Sequence, residues 1–250
     1  MVNCDILTEY LHQLLQADQF SDGCPNGLQI QGKPQINKMV TGVTASQALI
    51  QQAIKLEADA ILVHHGYFWK SENASIVGMK YHRIKAILDH DINLFAYHLP
   101  LDAHAAYGNN ALLCQVLGGK IISRFGDQDV GFLAQIDPAI SEAAFIERVK
   151  EKINPKVFVA GKTDGKAISK IAVCSGGGQS FYQEAIKQGA DIFLTGEIAE
   201  HNVHEAEETG IPYIAAGHHA TERFGVRALG CHLAKEFSLD VTFVDIDSGV

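Results

Sequence analysis

Two short apolar segments of the sequence each run into a histidine that stands four residues before a carboxylate. His98 precedes Asp102, and His218 precedes Glu222. Imidazole and carboxylate together form a nitrogen and oxygen ligand set, which suits Zn, Mn, Fe, Ni or Co and disfavours copper(I) and iron–sulfur clusters. One such histidine is more often a satisfied polar group than a ligand, but two matching pairs predict a site for divalent metal ions.

A third apolar segment ends in two adjacent histidines, His64 and His65, followed by Gly66. On a regular strand the two rings would point to opposite faces, but a sharp turn at Gly66 could bring both into one cavity. Adjacent ligands bind one ion together with difficulty, so this pair suggests two neighbouring ions that Asp102 or Glu222 could bridge. Paired ions about 3.5–4 Å apart activate water and hold a phosphate or carbonyl oxygen in many hydrolases.

Further polar side chains lie beside these segments. Glu197 follows the apolar segment Ile192–Thr195, His201 comes one turn later, and His219 directly follows His218. By location alone, Glu197, His201 and His219 are candidates to move protons. Lining a pocket without a chemical role agrees equally well with their positions.

The segment Ser175-Gly176-Gly177-Gly178 stands between a predicted strand and a predicted helix. Such a turn can place a phosphate at the helix N-terminus, so Ser175, Gly176 and Gly177 are candidate phosphate contacts. The segment lacks the Gly-Lys-Ser/Thr of a P-loop. A turn that needs glycine for close packing is the more common reason for such a sequence.

The candidate site residues can act together only if the strands and helices of the fold place them at one edge of a sheet. Hydrophobic patterning predicts strands at Met39–Val43, Ala60–Val63 and Leu94–Tyr97 and helices at Ser46–Leu56 and 81–90. A first helix is predicted over 5–17, with Asp5 as its N-cap. Alternating strands and helices indicate an α/β fold with a largely parallel sheet, and sites in such folds form at the carboxyl ends of strands.

The sequence also resembles itself when it is shifted by 132 positions. Ala53-Ile54-Lys55 then lies over Ala185-Ile186-Lys187, within longer segments that both read strand, helix, strand. We interpret this as an internal duplication, with a first α/β repeat over 1–126, a connecting module over 127–165 that packs on the second lobe, and a second repeat over 166–250. Chance similarity between two ordinary β-α-β segments is the alternative.

Composition narrows the class of protein. The 250 residues include 20 Lys and Arg against 29 Asp and Glu, a formal charge of −9. Because non-specific nucleic-acid binding depends on basic residues, this charge disfavours it. The five cysteines are odd in number and form no Cys-x-x-Cys pair, which argues against a disulfide framework or a zinc ribbon. No signal peptide and no apolar run of about 20 residues is recognisable, so a cytoplasmic protein without a membrane span is expected.

Several of these motifs together resemble the family of GTP cyclohydrolase 1 type 2 homologues, which is also named for an NGG1-interacting factor. The segments that carry the resemblance occur in the family's order along nearly the whole chain: Pro25–Gln29, Val63–Gly66, His98–Asp102, Cys174–Gly178, Thr195–Glu197 and Gly217–Glu222. The sequence looks like a short bacterial member that lacks a long central insertion.

The resemblance implies two intertwined α/β repeats with mixed, mostly parallel sheets, a metal site between them, and a ring-shaped homohexamer. By position it implies that two divalent ions are bound, with His98 close by but outside the ligand set. The implied ligands are His64, His65, Asp102, His218 and Glu222.

The family name implies that a metal-activated water opens the purine ring of GTP. We therefore predict a dinuclear-metal-dependent hydrolase that acts on a nucleotide or a related phosphate-bearing small molecule. The alternative is a metal-binding ring without enzymatic activity that stores or delivers ions or docks another protein. A ring that encircles DNA during repair is a further alternative, which the charge of −9 opposes.

Overall fold

The computed structural model describes residues 1–162 and 165–249. Its contacts divide the chain into two compact units. The first comprises Met1–Leu101 and Gly225–Ile246, and the second comprises Asp102–Phe224 and Asp247–Val250. Each unit is therefore formed by two separate segments of the chain.

The helices of the described residues are α1 (Cys4–Leu15), α2 (Gln47–Lys55), α3 (Gly78–Leu88), α4 (Leu99–Ala103), α5 (Asn109–Val116), α6 (Glu142–Lys152), α7 (Tyr182–Lys187), α8 (Glu200–Thr209) and α9 (His218–Phe237). The strands are β1 (Val2–Asn3), β2 (Gly27–Ile30), β3 (Gln35–Ile36), β4 (Lys38–Thr44), β5 (Ala60–His65), β6 (Asn93–Ala96), β7 (Lys120–Phe125), β8 (Gly131–Ser141), β9 (Phe158–Ala160), β10 (Ala167–Val173), β11 (Ile192–Thr195), β12 (Tyr213–Ala215) and β13 (Asp240–Phe243). None of these helices combines the length and apolar character needed to cross a bilayer.

The first unit is built on a five-stranded sheet in the order β13-β4-β5-β6-β2. The first three pairings are parallel, and β2 is antiparallel to β6. Because neighbouring strand residues face opposite sides, Met39 packs in one apolar layer with α1 and the later part of α9, and Val40 packs in another with α2 and α3. This two-layer covering explains why the central strands β4 and β5 are almost entirely buried.

The second unit is built on a six-stranded sheet in the order β7-β8-β10-β11-β12-β9. Only the β10–β11 and β11–β12 pairings are parallel, and the outer pairings are antiparallel. Phe145 and Val149 of α6 pack with α5 against one face. Strands β8 and β9 come from the predicted connecting module, so this module forms part of the second unit's sheet.

The predicted α/β class is confirmed, with mixed sheets in both units. Parallel pairing predominates in the first sheet and is confined to the central strands of the second. The N-cap predicted at Asp5 is wrong: α1 begins at Cys4, and Asn3 Oδ1 accepts from the N–H groups of Asp5 (2.8 Å) and Ile6 (3.2 Å). The internal duplication and its boundaries, which compact units do not test, stay predictions.

Candidate metal centre

His64 and His65 are the last two residues of β5. The Nδ1 atom of His64 lies 3.0 Å from the carbonyl oxygen of Tyr97. Because a carbonyl only accepts, this nitrogen carries the proton and Nε2 carries the lone pair. His65 Nδ1 lies 3.1 Å from Thr44 Oγ1. The two ring centroids are 4.7 Å apart, so the predicted convergence of the rings is observed in the first unit.

Gly66 has a different role from the one predicted. It is not among the glycines with positive φ, and both histidines still lie in the strand. A Cβ atom at position 66 would stand 2.6 Å from the Cβ of Ala96 and would overlap the Gln29 side chain. Gly66 is thus required for close packing behind the histidines, and Gln29 Oε1 accepts from Tyr67 N at 2.7 Å in the same contact.

His98 follows β6 and joins the same group. Its ring centroid is 5.0 Å from that of His64 and 5.7 Å from that of His65. One ring nitrogen of each lies within 4.8 Å of the other two. We call His64, His65 and His98 the histidine cluster. His98 Nδ1 is 2.8 Å from Asp22 Oδ1, so its proton also points away from the cluster.

Asp22 is a residue that the sequence analysis missed. Its carboxylate is buried and accepts from Gly23 N (2.6 Å), Asn26 Nδ2 (3.0 Å) and Leu99 N (3.0 Å). Burial is the largest influence on the pKa of Asp22 and would raise it, but the hydrogen bonds from His98, Asn26 and Leu99 together hold the pKa well below its ordinary value. Asp22 is therefore a fixed anion behind His98. Its only sequence signal is its place just before the Pro25–Gln29 motif.

The second unit also contains side chains that could donate electron pairs to a metal ion, and Asp102 is the first of them along the chain. It lies in α4 and is 7% exposed. Its Oδ1 atom accepts from Asn109 Nδ2 at 2.8 Å and from Ser175 Oγ at 2.9 Å. Two donors on one oxygen fix the plane of the carboxylate, which is the way supporting residues orient a ligand.

His218 and Glu222 lie one turn apart at the start of α9. His218 Nε2 is 3.1 Å from Glu222 Oε1, and His218 Nδ1 is 2.7 Å from Glu197 Oε1. The hydrogen bond with Glu222, assisted by Glu197 and opposed by burial, raises the pKa of His218 to about 9. Glu222 is 2% exposed. We call Asp102, His218 and Glu222 the second-unit donors.

The glycine segment packs directly against these donors. Gly176 has φ of 59°, and a Cβ atom there would overlap the Glu222 carboxylate and lie 3.1 Å from His218 Nε2. Gly176 N donates to Thr221 Oγ1 at 2.9 Å, and Ser175 N donates to Asn110 Oδ1 at 2.6 Å. Two of the three predicted phosphate-binding N–H groups thus have protein acceptors, while Gly177 is exposed. Phosphate contact at Ser175, Gly176 and Gly177 stays a prediction.

The three residues predicted to move protons lie in different surroundings. Glu197 holds His218 through Nδ1, and its backbone oxygen accepts from Tyr213 Oη at 2.6 Å. His201 is on an exposed face of α8. His219 is buried in the first turn of α9, beside His218. Glu197 thus contacts one of the second-unit donors directly.

Comparison with known proteins places the chain in a family. The sequence profile of Duf34/NIF3 (NGG1p interacting factor 3) matches residues 2–249. The chain belongs to the Duf34/NIF3 family. It is 47% identical to the GTP cyclohydrolase 1 type 2 homolog of Haemophilus influenzae over 244 residues, which cover 97% of both chains. It is 46% identical to the protein of that name from Escherichia coli K12 over 241 residues, 96% of each.

Solved structures of similar proteins confirm the fold of this Duf34/NIF3 chain. The protein ybgI, described as of unknown function, superposes with a TM-score of 0.96 at 42% identity and full coverage of both chains. TTHA1606 from Thermus thermophilus superposes with a TM-score of 0.90 at 33% identity, again with full coverage. These names record likeness to this chain and leave its reaction open.

The histidine cluster of this Duf34/NIF3 chain is a group that could hold a divalent metal ion. In four imidazoles the Nδ1 atom faces a protein oxygen. These are the imidazoles of His64, His65, His98 and His218. Metal-binding histidines ordinarily donate the second ring N–H to such a partner, which fixes the tautomer and leaves Nε2 to ligate. Imidazole and carboxylate donors suit the ions predicted from the sequence.

Trp69, the only tryptophan of the sequence, lies beside the histidine cluster. Its ring centroid is 5.0 Å from that of His98 and 6.1 Å from that of His65. Its Nε1 atom donates to Gly66 O at 3.3 Å. The fluorescence of one residue can therefore report an ion bound by the cluster.

Proposed function

We propose that this chain is a dinuclear-metal-dependent hydrolase. The observation that carries the proposal is the common orientation of the four imidazoles, each with Nδ1 against a protein oxygen. A surface imidazole such as His90 can also meet a backbone oxygen through Nδ1, but His64, His65 and His98 in addition lie together in one group. This shared orientation is the supporting structure that metal-binding histidines require.

In this proposal two divalent ions, of Zn, Mn, Fe, Ni or Co, are bound by His64, His65, Asp102, His218 and Glu222. The burial of Glu222 supports it, because a carboxylate at such a depth is stabilised by an opposite charge. The double hydrogen bond on Asp102 Oδ1 also supports it. When bound, a pair of such ions lowers the pKa of a water molecule and holds a phosphate or carbonyl oxygen.

We propose that the substrate is a nucleotide or a related phosphate-bearing small molecule. The support is the name of the relatives, GTP cyclohydrolase 1 type 2 homolog, and the glycine segment next to Glu222. Proton transfer by Glu197, His201 or His219 belongs to the same proposal. Among these, Glu197 has a carboxylate that is 48% exposed while it touches His218, so it meets both solvent and a proposed ligand.

The test begins with protein purified without chelator or affinity metal and analysed for its elements. The chain is then stripped, reloaded with each candidate ion and incubated with GTP and other nucleotides, and products are identified by mass spectrometry. We expect metal-dependent turnover that His64→Ala and Glu222→Ala abolish without loss of the circular dichroism of the fold. His90→Ala, which removes an exposed imidazole in the turn after α3, should keep full turnover.

The absence of turnover with every ion and nucleotide would contradict the hydrolase. Retained, exchangeable metal in that case would instead support the alternative of an ion-storing or ion-delivering protein. We also propose the homohexamer that the family resemblance implies. Light scattering after size exclusion should give about six chain masses, and a monomer or dimer would contradict it.

A further inference from the structure

The first unit contains an open cavity of about 500 Å³ that none of the proposed ligands lines. It is formed by the segment after α1 and by residues that follow β5. Its lining includes Asp18, Phe20, Asp22, Cys24, Asn26 and Lys70. Two of these, Asp22 and Cys24, are buried side chains with metal-binding chemistry, so the cavity gives solvent a path to them.

Asp22 and Cys24 share a third partner, His98. A carboxylate oxygen, the thiol sulfur and an imidazole nitrogen of these residues lie within 4.8 Å of one another. The imidazole nitrogen on this side is Nδ1, 2.8 Å from Asp22 Oδ1. Cys24 is a free cysteine. Carboxylate, thiolate and imidazole are the three protein ligand types of zinc.

We propose that Asp22, Cys24 and His98 form an accessory metal site for a divalent ion that binds thiolate, of the class of Zn²⁺ or Co²⁺, reached through the cavity. The site shares one residue with the histidine cluster and includes none of the ligands of the proposed dinuclear centre. Its binding chemistry differs from theirs because it contains sulfur.

Binding at this site exchanges protons for the ion. The S–H bond of Cys24 breaks, a sulfur–metal bond forms, and the proton goes to water. Burial, together with the charge of Asp22, raises the pKa of Cys24 to about 12. Only an ion with strong affinity for thiolate displaces such a proton, so Mg²⁺ and Mn²⁺, which prefer oxygen ligands, are excluded.

Because His98 is shared, the two groups compete for its ring. A neutral imidazole has one lone pair, and an ion on Nδ1 moves the ring proton to Nε2. His98 can then support either the accessory site or the histidine cluster, so the accessory site is suited to pass an ion from the cavity inward. This transfer, unlike the accessory site, rests on the proposed metal centre.

The test is a cobalt titration of the metal-free full-length chain, observed in the near ultraviolet, where thiolate bound to cobalt gives an intense charge-transfer band. We expect the band in the natural chain and in Cys231→Ser, which removes the exposed cysteine of α9. Cys24→Ser should lack it. A natural chain without the band, or a band that persists in Cys24→Ser, would overturn the proposal.

X-ray absorption of the natural chain with three equivalents of Zn²⁺, enough for the two ions of the proposed centre and one more, tests the site without a substitution. We expect a sulfur neighbour at about 2.3 Å from zinc, and its absence would refute the site.

His65→Ala separates this proposal from the proposed function. The variant should keep the cobalt–thiolate band while it loses turnover, and loss of the band there would show that Cys24 has no site of its own. A natural chain with the band but without turnover would refute only the hydrolase.

Discussion

The two units carry the same kinds of side chain in opposite proportions. The first has three imidazoles backed by one carboxylate, and the second has one imidazole among three carboxylates. These residues are His64, His65, His98 and Asp22 in the first unit and His218, Asp102, Glu197 and Glu222 in the second. Neutral imidazoles do not repel one another, whereas buried carboxylates do. We therefore expect the first unit to supply orientation for a bound ion and the second to supply most of the charge that attracts it.

Two central strands of each unit are paired in the same parallel register. Parallel pairing places Met39 opposite Ala60 in the first sheet and Ile171 opposite Ile192 in the second, 132 positions further along. At the carboxyl ends of β5 and β11, His64-His65 in the first unit corresponds to Gly196-Glu197 in the second. A common frame with different side chains at the strand ends is what the predicted duplication would produce.

The largest expected effect is on ion binding after a ligand is removed from either unit. We expect Glu222→Gln and His64→Ala each to lower metal affinity by more than about 100-fold, which exceeds the loss caused by a supporting residue. Glu222→Gln keeps the size of a buried side chain and removes only its charge, so it isolates the electrostatic contribution of the second unit. The measurement is quenching of Trp69 fluorescence by Co²⁺.

His90→Ala is the matched control and should bind Co²⁺ as the natural chain does. If Glu222→Gln retained its natural affinity while His64→Ala lost it, the first unit alone would hold the ion. The division into orientation and charge would then be wrong.

A smaller effect is expected from the residues that hold the imidazoles. Asp22→Asn in the first unit and Glu197→Gln in the second should each lower metal affinity by about 10–100-fold. The Asp22 side chain is 3% exposed and that of Glu197 is 48% exposed, so solvent screens Glu197 more and Asp22→Asn should have the greater effect. Competition with a chromophoric chelator measures both.

Asp89→Asn, which removes an exposed carboxylate paired with Lys85, controls for the general loss of negative charge. An equal response of Asp89→Asn and Asp22→Asn would mean that net charge, and not the orientation of His98, explains the loss.

The histidine cluster was predictable because its members follow apolar strands. The sequence pattern placed His64, His65 and His98 at strand ends, where parallel sheets collect functional residues. It could not show Asp22, which precedes no periodic segment and reaches His98 only through the tertiary fold. The partner of His64 is a backbone carbonyl of Tyr97, and a backbone group leaves no trace in composition or spacing.

Local chemistry also explains where the sequence-based details were wrong. Both Asn3 and Asp5 are good N-cap residues, so propensity alone does not choose between them. The pairing of Val2 and Asn3 with β3 keeps Asn3 extended, and the helix begins directly after it. A sharp turn at Gly66 could have explained the convergence of the two rings, but the side chains of Gln29 and Ala96, which are distant in sequence, are the reason that position 66 has no side chain.

A third and smaller effect is expected on the free energy of unfolding, from an aspartate that occupies the equivalent place in each unit. Asp59 accepts from Asn37 N (2.9 Å) and Lys38 N (3.0 Å), and Asp191 accepts from Ser169 N and Lys170 N in the equivalent place. Asp59→Asn should lower the free energy of unfolding of the metal-free chain by about 1–2 kcal/mol at neutral pH. Asp191→Asn should cost less, because Asp59 also has a 2.7 Å contact with Lys33 Nζ, whereas the carboxylate contacts of Asp191 among the described residues are with backbone N–H groups.

The effect of Asp59 should disappear in acid. Burial would raise the pKa of Asp59, but the hydrogen bonds from Lys33 Nζ and two backbone N–H groups lower it overall. A lowered folded-state pKa means that the carboxylate stabilises the fold above its unfolded pKa of about 3.9 and that this stability is lost as the pH falls through the folded value. Urea unfolding at pH 7 and in acid should show the natural chain and Asp59→Asn converging. A constant difference would show that shape, and not charge, is what Asp59 contributes.

The smallest effect concerns the turn after the first central strand of each sheet. In the first unit Ser46 caps α2, and its Oγ accepts from Leu49 N at 3.3 Å. The equivalent position of the second unit is Gly178, whose N–H donates to Thr195 Oγ1 at 3.0 Å. Ser46→Ala should cost about 0.5–1 kcal/mol of unfolding free energy, as should Ser141→Ala, which removes a matching cap from α6. Because Ala45 N donates to His65 O at 2.9 Å next to this turn, a cost well above that of Ser141→Ala would show that the cap also holds the end of the strand that carries the histidines.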